Sequence, residues 1–386
     1  MSWSTVRADQ FCTLITDGTH DSPKPQQSGW KLITSKHLKG HYIDFDSANW
    51  ISEADYLKVI SRSAVEQWDI LFSMIGTIGN IYLEKNSHVE YACKNMGIFK
   101  FSGNKENALW MYYYLKSPQA KAYIQTHLRG STQAYVPLGG LREMPVPVPP
   151  QSVRNEIIAV LRPIDEKIEC NNAINDNLQQ QADALFSSLY DRSNTEVRFT
   201  DLIQILGGGT PKTGENTYWN GNIAFFTPKD VGTPYTLITE KTISKEGLSH
   251  CNSRLYPVNT VFVTARGTVG KVGMSGVPMA MNQSCYALVG KETHQLLVYF
   301  YTLKAVDRLK HKASGAVFDA ITTRDFESEQ IMKLSDDDAT AFLRVAEPMF
   351  QEVLNNNIEN LRLSTLRDSL LPKLMSSEID VSAVQL

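Results

Sequence analysis

Two stretches of the chain place apolar residues at alternating steps of four and three, which is the heptad spacing of a coiled-coil seam. The first seam contains Ile157, Leu161, Ile164, Ile168, Asn171, Asn175, Leu178, Ala182, Leu185 and Leu189. The second seam contains Phe342, Ala346, Met349, Val353, Asn356, Asn360, Leu363, Arg367, Leu370 and Leu374. Both patterns continue for more than four heptads and predict two long helices that pair. Two amphipathic helices in an ordinary bundle are the alternative interpretation.

The chain also contains two copies of one module. Gly76-Thr77-Ile78-Gly79 returns 191 residues later as Gly267-Thr268-Val269-Gly270, and Val6-Arg7 returns as Val197-Arg198. Gly18-Thr19 and Gly209-Thr210 have the same offset. The seams repeat with an offset of 185 residues, so that Pro163, Asn171, Asn172 and Asn175 become Pro348, Asn356, Asn357 and Asn360. A repeat of this length indicates a duplicated globular module, not a solenoid of short units.

Asparagines occupy the centre of both seams, where they reduce stability but fix register and partner. Antiparallel pairing with aligned centres puts Asn171 opposite Asn360 and Asn175 opposite Asn356. Parallel pairing would put Asn171 beside Asn356, and the pattern alone does not choose between the two. A dyad between the two copies favours antiparallel helices. The predicted helix-pairing residues are Asn171, Asn175, Leu178, Leu185, Asn356, Asn360, Leu363 and Leu370.

The ends of the two helices carry recognisable signals. Ser152 is the predicted N-cap of the first helix, and Ser335, which is followed by Asp336-Asp337-Asp338, is a stronger N-cap for the second. Pro163 and Pro348 are predicted to kink or interrupt the helices near their starts.

The segments outside the seams have short apolar runs separated by Gly, Pro, Asn and Thr, which predict strands and turns. One helix is predicted in each copy, over residues 109–126 and Gln295–Lys312. Residues 145–150, rich in proline, predict an extended exit from the first copy. The predicted fold class is α+β: two duplicated globules with curved antiparallel sheet, separated by two long helices that form an antiparallel, pseudo-twofold coiled coil.

Charge follows the same division. The formal net charge of the chain is −3, but residues 1–150 and 196–332 each carry +2, whereas residues 151–195 carry −3 and residues 333–386 carry −4. The two globules are therefore better candidates for contacting phosphate than the helices are. The five scattered cysteines form no CxxC pair, and neither an export signal nor a membrane-length apolar run is visible. We expect a cytoplasmic protein without a zinc site.

No catalytic motif is convincing. The glycine-rich stretch 207–212 lacks the phosphate-binding pattern GxxxxGK[ST], and no amino-methyltransferase motif [DN]PP[YF] occurs. Asp165-Glu166-Lys167 resembles a nuclease carboxylate–lysine set, but it lies inside the first helix, where we expect a solvated charged face. The histidines show no metal-ligand spacing. We predict neither catalysis nor a bound cofactor or metal.

Several stretches resemble the specificity subunit of type I restriction-modification enzymes, and the resemblance covers essentially the whole chain. They are Leu141 to Pro150, Glu156-Ile157-Ile158-Ala159, Ile164 to Glu169, Leu185-Phe186, Gly130-Ser131-Thr132-Gln133 and Gly76-Thr77-Ile78-Gly79. The second copy departs from the family pattern, because residues 326–334 lack the prolines and Asp336-Asp337-Asp338 replaces the usual Pro/Gln start.

The resemblance implies four parts: target-recognition domain 1 (1–150), a conserved spacer helix (151–195), target-recognition domain 2 (196–332), and a second conserved helix with the C-terminal tail (333–386). It implies that each domain reads one half of a bipartite double-stranded DNA target. It also implies two methyltransferase subunits that use S-adenosylmethionine, and restriction subunits that use ATP and Mg²⁺. The specificity subunit itself has no active site. Two modules on one face of DNA need a spacing of about 34–36 Å, which a helix of about 24 residues provides, so the helices are predicted to act as a ruler.

The candidate DNA-contacting residues are polar or basic and lie at predicted loops and turns. In the first copy they are Thr19, His20, Lys24, Lys36, Thr77, Lys94, Asn95, Arg129, Ser131, Thr132 and Gln133. In the second copy they are Thr210, Lys212, Lys229, Arg266, Thr268, Lys271, Asn282, Gln283, Lys312 and Ser314. Two alternatives stay open from the residues alone: a protein-interaction scaffold without a DNA role, and a self-contained nuclease or methyltransferase.

Overall fold

The structure is a computed structural model that describes residues 3–40, 42–232, 234–312, 320–379 and 381. The chain divides into two compact units. Unit 1 comprises Met1–Glu169 and Leu363–Leu386, and unit 2 comprises Cys170–Arg362. Each unit therefore contains one globule and a part of both long helices.

The N-terminal globule belongs to unit 1. Its strands are β1 (Ser4–Arg7), β2 (Leu14–Asp17), β3 (Trp30–Ile33), β4 (Asn49–Ile51), β5 (Ile70–Ser73), β6 (Ile81–Leu83), β7 (Tyr91–Cys93), β8 (Met96–Lys100) and β9 (Pro145–Val148). Its helices are α1 (Ala8–Phe11), α2 (Glu53–Ser63), α3 (Lys105–Lys116), α4 (Pro118–Thr126) and α5 (Leu138–Glu143). The first long helix, α6 (Gln151–Arg192), follows.

The globule of unit 2 repeats this order. Its strands are β10 (Thr195–Arg198), β11 (Ile203–Gly207), β12 (Trp219–Phe226), β13 (Tyr235–Thr236), β14 (Lys241–Ile243), β15 (Val261–Thr264), β16 (Val272–Ser275), β17 (Met279–Met281), β18 (Cys285–Gly290) and β19 (Gln330–Lys333). Its helices are α7 (Phe199–Leu202), α8 (Lys245–Ser249), α9 (Gln295–Lys312) and α10 (Thr323–Ser328), before the second long helix, α11 (Asp336–Met375).

The sheets of the two globules match strand for strand. The order β2-β8-β5-β6 in unit 1 corresponds to β11-β18-β15-β16 in unit 2, where β13 adds an edge. A second sheet has the order β4-β3-β7 or β14-β12-β17, and β1-β9 corresponds to β10-β19. Strand β5 is fully buried because its apolar residues are covered on both faces. The duplication inferred from the sequence is thus a duplication of topology.

Two details of the predicted globules are wrong. The sheets are not wholly antiparallel, since β3 pairs with β7, β12 with β17, and β13 with β16 in parallel. The helix predicted over residues 109–126 begins earlier and is broken at Ser117, because Ser117 caps α4 by accepting from Ala120 N at 3.2 Å and Pro118 starts the new helix. The helix Gln295–Lys312 is confirmed. The structure adds α2 and α8, which the apolar pattern did not reveal.

The heptad pattern identified the buried faces of both long helices. All the predicted seam positions of α6 and α11 are buried or half-buried, and none is exposed. Ser335 is the N-cap of α11, as predicted, and its Oγ accepts from Asp338 N at 3.1 Å. Ser152 lies inside α6 and is not its cap. Pro163 and Pro348 lie within the two helices and interrupt neither of them.

Within unit 2 the central asparagines establish an antiparallel register. Asn171 Nδ2 donates to Asn360 Oδ1 at 2.9 Å, and Asn356 Nδ2 donates to Asn175 Oδ1 at 2.9 Å. Asn172 and Asn357 extend the ladder with bonds to Asn360 at 2.9 Å and to Asn175 at 3.0 Å. The parallel alternative is therefore excluded, and the predicted fold class of paired long helices with duplicated α+β globules is confirmed.

One charged residue on α6 is not solvated, contrary to prediction. Asp165 is buried because α3 covers its face of α6. Its Oδ1 accepts from Arg367 Nη1 at 2.7 Å, and its Oδ2 lies 3.3 Å from Lys116 Nζ. These three residues, all in unit 1, are called the polar junction below. Glu166 and Lys167 are exposed, as predicted.

Candidate nucleic-acid interface

Unit 1 brings the first predicted loop against the turn between β7 and β8. Thr19 N donates to Cys93 O at 2.9 Å, and Asn95 N donates to Thr19 O at 3.1 Å. His20 lies between two oxygens, with Nδ1 2.8 Å from Asn95 Oδ1 and Nε2 2.9 Å from Asp17 Oδ2. The chain passes tightly here, since a Cβ on Gly18 would lie 2.3 Å from the Cys93 carbonyl oxygen. Thr19, His20 and Asn95 thus form one ordered surface.

Further hydrogen bonds extend this surface to the end of β3 and to the glycine turn. Lys94 N donates to Ile33 O at 2.9 Å, which joins the turn to the end of β3 and hence to the exposed Lys36. Thr77, in the repeated glycine turn, donates from Oγ1 to Ser35 O at 3.2 Å. The glycine turn also lies against the loop that contains Arg129. Val136 N, just after this loop, donates to Met74 O, just before the turn, at 2.9 Å.

The Arg129 loop presents the remaining residues predicted for the first copy. Arg129 and Tyr135 exchange two backbone hydrogen bonds of 2.9 Å, and the exposed loop between them contains Ser131, Thr132 and Gln133. Tyr135 is itself exposed, at 41%. We call this surface the loop edge of unit 1. It extends from the loop of Thr19, past the β7–β8 turn and the glycine turn, to the loop that contains Gln133. Lys24 is exposed on the loop that follows His20, and the Lys94 ammonium contacts Ser22.

Two cations on α2 belong to this edge and were not predicted. Arg62 Nη2 donates to Asp17 Oδ1 at 3.0 Å and to the backbone oxygens of Asp17 and Gly18 at 3.2 Å. Lys58 Nζ lies 3.0 Å from Asp21 Oδ2, and this ammonium lowers the pKa of the Asp21 carboxyl. Sequence reasoning missed them because their partners, Asp17, Gly18 and Asp21, are distant from α2 in the sequence.

Unit 2 reproduces the scaffold of this edge. Thr268 Oγ1 donates to Pro228 O at 3.3 Å, as Thr77 does to Ser35 O, and Asn282 N donates to Phe226 O at 2.9 Å, as Lys94 N does to Ile33 O. Both glycines of each repeated turn have positive φ: +77° and +89° at Gly76 and Gly79, and +84° and +74° at Gly267 and Gly270. Such backbone angles favour glycine, which explains the repeated motif.

The first loop of unit 2 is aligned one residue differently from the sequence repeat. Gly209 N donates to Met281 O at 3.1 Å, which is the bond that Thr19 N makes to Cys93 O. Thr210 Oγ1 donates to Gln283 Oε1, and this pair occupies the place of His20 and Asn95. The structural counterpart of Thr210 is therefore His20, and not Thr19. The two edges hold the same backbone geometry but present different side chains.

Four predicted residues of unit 2 surround one open hollow of about 460 Å³. Its lining includes the predicted Lys229, Arg266, Thr268 and Asn282, together with Lys241 and Glu240. Arg266 is exposed, and its backbone pairs with Ala320 in the way that Ile75 pairs with Tyr135 in unit 1. Lys229 Nζ lies 3.5 Å from Glu240 Oε2, an exposed pair that solvent weakens. The sequence argument missed Lys241, which lies on β14 and not in a turn.

The other predicted residues of unit 2 lie apart from this hollow. Lys212 is exposed in the first loop, and its carbonyl accepts from Trp219 Nε1 at 3.1 Å. Lys271 is exposed after the glycine turn. Lys312 Nζ lies 2.5 Å from Oε2 of the buried Glu329, so this cation has a structural partner. Ser314 lies outside the described residues.

Within the described ranges, no three His, Cys, Asp or Glu side chains come together as a metal site would require. No helix in the described part of the chain is both long and apolar enough to cross a membrane.

Two globules that share one scaffold and differ in the side chains at its edge define a class of duplicated recognition proteins. The chain belongs to the family described as "Type I restriction modification DNA specificity domain", which it matches over residues 3–180 and 192–333. It is a DNA sequence-specificity protein without a catalytic role of its own, and the predicted family and function are thereby confirmed.

Known relatives carry the same description. The chain is 22% identical to the HindI specificity subunit of Haemophilus influenzae over an alignment of 415 positions, which covers 85% of this chain and 90% of the relative. It is 26% identical to the EcoR124I/EcoR124II specificity subunit of Escherichia coli over 211 positions, 51% of each chain. The crystal structure of a type I restriction-modification S subunit from M. genitalium has the same fold, with a TM-score of 0.57, 13% identity, and coverage of 97% of this chain and 96% of that one.

Proposed function

We propose that each globule reads one half of a bipartite double-stranded DNA target through its loop edge. The observation that carries this proposal is the shared scaffold with exchanged side chains. The glycine turn is held by the same threonine–carbonyl bond in both units, while Ile75 is replaced by Arg266, Lys94 by Asn282, and Asn95 by Gln283. Side chains that contact base edges determine sequence preference, whereas the scaffold only positions them.

The division of labour follows the predicted boundaries. Residues 1–150 and 196–332 act as the two target-recognition domains, and residues 151–195 and 333–386 as helices that set the spacing and dock the methyltransferase subunits. The asparagine ladder supports this role, because buried polar pairs at a seam fix its register. A helix pair with one fixed register would suit a spacer of constant length.

The partners proposed for this chain are double-stranded DNA, two methyltransferase subunits and, in the full complex, restriction subunits. The relatives with these descriptions are specificity subunits of type I restriction enzymes, which supports the proposal. The chemistry of the complex would then come from its partners, with S-adenosylmethionine for methylation and ATP with Mg²⁺ for restriction. Such a complex would act in the cytoplasm, on the DNA of the cell.

Arg266 is the residue we propose as a guanine reader in the half-site of unit 2. A guanidinium can donate two parallel hydrogen bonds to O6 and N7 of guanine in the major groove. Arg266 is exposed at the rim of a hollow that also contains Lys229 and Lys241, two cations suited to flanking phosphates. The side chain of Ile75, at the matching position of unit 1, cannot donate a hydrogen bond, so the two half-sites should differ at this base.

The test is to co-express the chain with its methyltransferase subunit and to map methylated adenines by sequencing the host DNA. A bipartite motif modified on both strands is expected. Arg266→Ala should relax one base of one half-site, with a loss of about 1–3 kcal/mol of discrimination, while the other half-site and the complex itself remain intact. Ile75→Ala is the matched control and should leave the unit 2 half-site unchanged. Methylation without a bipartite motif, or an unchanged motif with Arg266→Ala, would contradict the proposal.

A further inference from the structure

The two units differ in the groove beside the first turn of the long helix that begins in each of them, α6 in unit 1 and α11 in unit 2. In unit 1 this place is filled by Arg154 of α6. Its Nη1 donates to Asn107 Oδ1 at 2.7 Å, and its guanidinium carbon lies 5.8 Å from the centre of the Phe11 ring. Arg154 is half-buried, and this burial lowers the pKa of its guanidinium. In unit 1, therefore, an arginine of the same chain occupies this groove.

Unit 2 keeps the walls of this place but lacks the arginine. The residue of α11 at the offset of 185 from Arg154 is Ala339, and Leu202 at the end of α7 stands 191 residues after Phe11. Between them lies an open hollow of about 620 Å³, which is bordered by His294, just before α9, and by Leu297 of α9. We call it the Ala339 hollow. Its position between α7, α9 and α11 is the position that Arg154 fills between α1, α3 and α6.

The lining of the Ala339 hollow suits the two parts of an arginine side chain. Leu202, Leu297 and Leu343 provide an apolar wall for the methylene stem. The exposed carboxylates Asp201 and Glu292 lie at the rim and can accept from a guanidinium.

Asp201 stands where unit 1 has the neutral Gln10. Each side chain accepts at 3.3 Å from the backbone N–H of the N-cap residue of its own helix, which is Arg198 for Asp201 and Arg7 for Gln10. Two of the cations at the rim face acids of their own. Lys333 Nζ lies 3.6 Å from Asp336 Oδ1, and His294 Nε2 lies 3.7 Å from Glu347 Oε1. The third, Lys291, is exposed. Unit 2 thus lacks the guanidinium of Arg154 and carries the carboxylate of Asp201 where unit 1 has the neutral Gln10.

We infer that the Ala339 hollow receives an arginine side chain from a partner protein. The inference rests on the proposed function in taking that partner to be a methyltransferase subunit. Arginine fits better than lysine, because its planar guanidinium is weakly hydrated and can donate hydrogen bonds to two acceptors at once. In unit 1 Arg154 fills part of the matching groove and leaves a smaller hollow of about 330 Å³ between α3 and α6, so the two units offer the partner unequal surfaces.

The experiment measures binding of purified methyltransferase subunit to the full-length chain, in the wild type and in Ala339→Arg. The variant places a guanidinium in cis, as unit 1 does, and should weaken binding about tenfold, because a central arginine contact is typically among the strongest in an interface. Ala341→Arg is the matched control. It adds the same charge on the exposed face of α11, two residues away, and should leave affinity unchanged.

A second variant covers the case in which Ala339→Arg perturbs the fold, which hydrogen exchange of unit 2 would reveal. Asp201→Asn removes the rim charge but keeps an oxygen for the Arg198 N–H, and it should weaken binding at low salt more than at high salt. Wild-type affinity in Ala339→Arg, or in Asp201→Asn if the first variant is misfolded, would overturn the inference. If the wild-type chain does not bind the methyltransferase subunit at all, the proposed function fails as well, which separates the two failures.

Discussion

The two units join their globule to the long helices through opposite chemistry. In unit 1 the contact is the polar junction, in which Asp165 lies between Arg367 and Lys116. In unit 2 the residue at the position of Asp165 is Phe350, and the residue at the position of Arg367 is Ala182, both at the offset of 185. One duplicated backbone therefore tolerates a buried ion cluster in one copy and an apolar contact in the other.

The contact in unit 2 is a cluster of aromatic rings. Phe300 of α9 packs against Phe186 at 4.9 Å, Phe342 at 5.1 Å and Phe350 at 5.5 Å between ring centres. These four residues, all buried, are called the aromatic junction. Burial of aromatic rings stabilises the fold roughly in proportion to the apolar area removed from water and needs no exact orientation. A buried ion cluster stabilises the fold only if well-aligned ion pairs and hydrogen bonds offset the cost of dehydrating the charges. The difference predicts that the units respond differently to mutation and to pH.

The largest effect is expected when one partner of the polar junction is removed. Asp165→Ala leaves Lys116 buried without its counter-ion and Arg367 with only the exposed Asp368, 2.8 Å away, which costs about 3–5 kcal/mol. Hydrogen exchange of unit 1 should report this loss, while unit 2 should keep its protection. Glu166→Ala is the matched control on the same turn. Glu166 makes only an exposed pair with Arg162, and its removal should change stability by less than about 0.5 kcal/mol. Equal loss of protection in both units would contradict the local role of the junction.

A smaller effect is expected for trimming the aromatic junction. Phe350→Leu removes part of a ring that is 3% exposed and contacts Tyr299 and Phe300, so unit 2 should lose about 1–2 kcal/mol through a partly collapsed cavity. Denaturant unfolding followed by exchange in unit 2 measures this. The loss should not depend on salt or pH. A salt-dependent loss would show that charge also contributes to this junction.

Replacing the whole polar junction should change stability less than breaking it. The triple variant Asp165→Leu, Lys116→Met, Arg367→Leu converts unit 1 to the apolar solution of unit 2. Buried ion clusters replaced by apolar residues of similar volume are often neutral or more stable by about 1–4 kcal/mol. We expect unit 1 to be at least as stable as in the wild type, measured by exchange. A loss as large as that of Asp165→Ala would show that the ions provide net stability.

The comparison also shows what the sequence could predict. Seam positions, antiparallel asparagine register and the repeated glycine turns follow from local spacing and from the repeat, and the structure contains them. The burial of Asp165 does not follow, because it depends on α3 covering a second face of α6, which heptad spacing does not describe. Arg62 was missed for a similar reason, since its role depends on the distant backbone of Asp17 and Gly18. The loop edges were predicted where the repeat aligned them, and the one-residue shift at Thr210 needed the hydrogen bonds.

The smallest expected effect is a pH dependence confined to unit 1. Burial lowers the pKa of Lys116 to about 8, against 10.5 for an ordinary lysine, although Asp165 opposes the shift. A lysine whose pKa is lower in the folded state binds fewer protons there than in the unfolded state between these two values. Stability contributed by this group therefore rises as pH increases from about 8 towards 10.5, and is reduced below that window.

Lys116→Met isolates this contribution, because it removes the titrating group and leaves the Asp165–Arg367 pair, whose Oδ1–Nη1 distance is 2.7 Å. The difference in unfolding free energy between wild type and variant, followed by exchange in unit 1, should grow in favour of the wild type as pH rises through the window. The same titration in unit 2 should show no difference between the two proteins, since the aromatic junction contains no titratable group. A difference that falls with rising pH would mean that Lys116 is stabilised as a cation, and that the polar junction is held together by charge despite its burial.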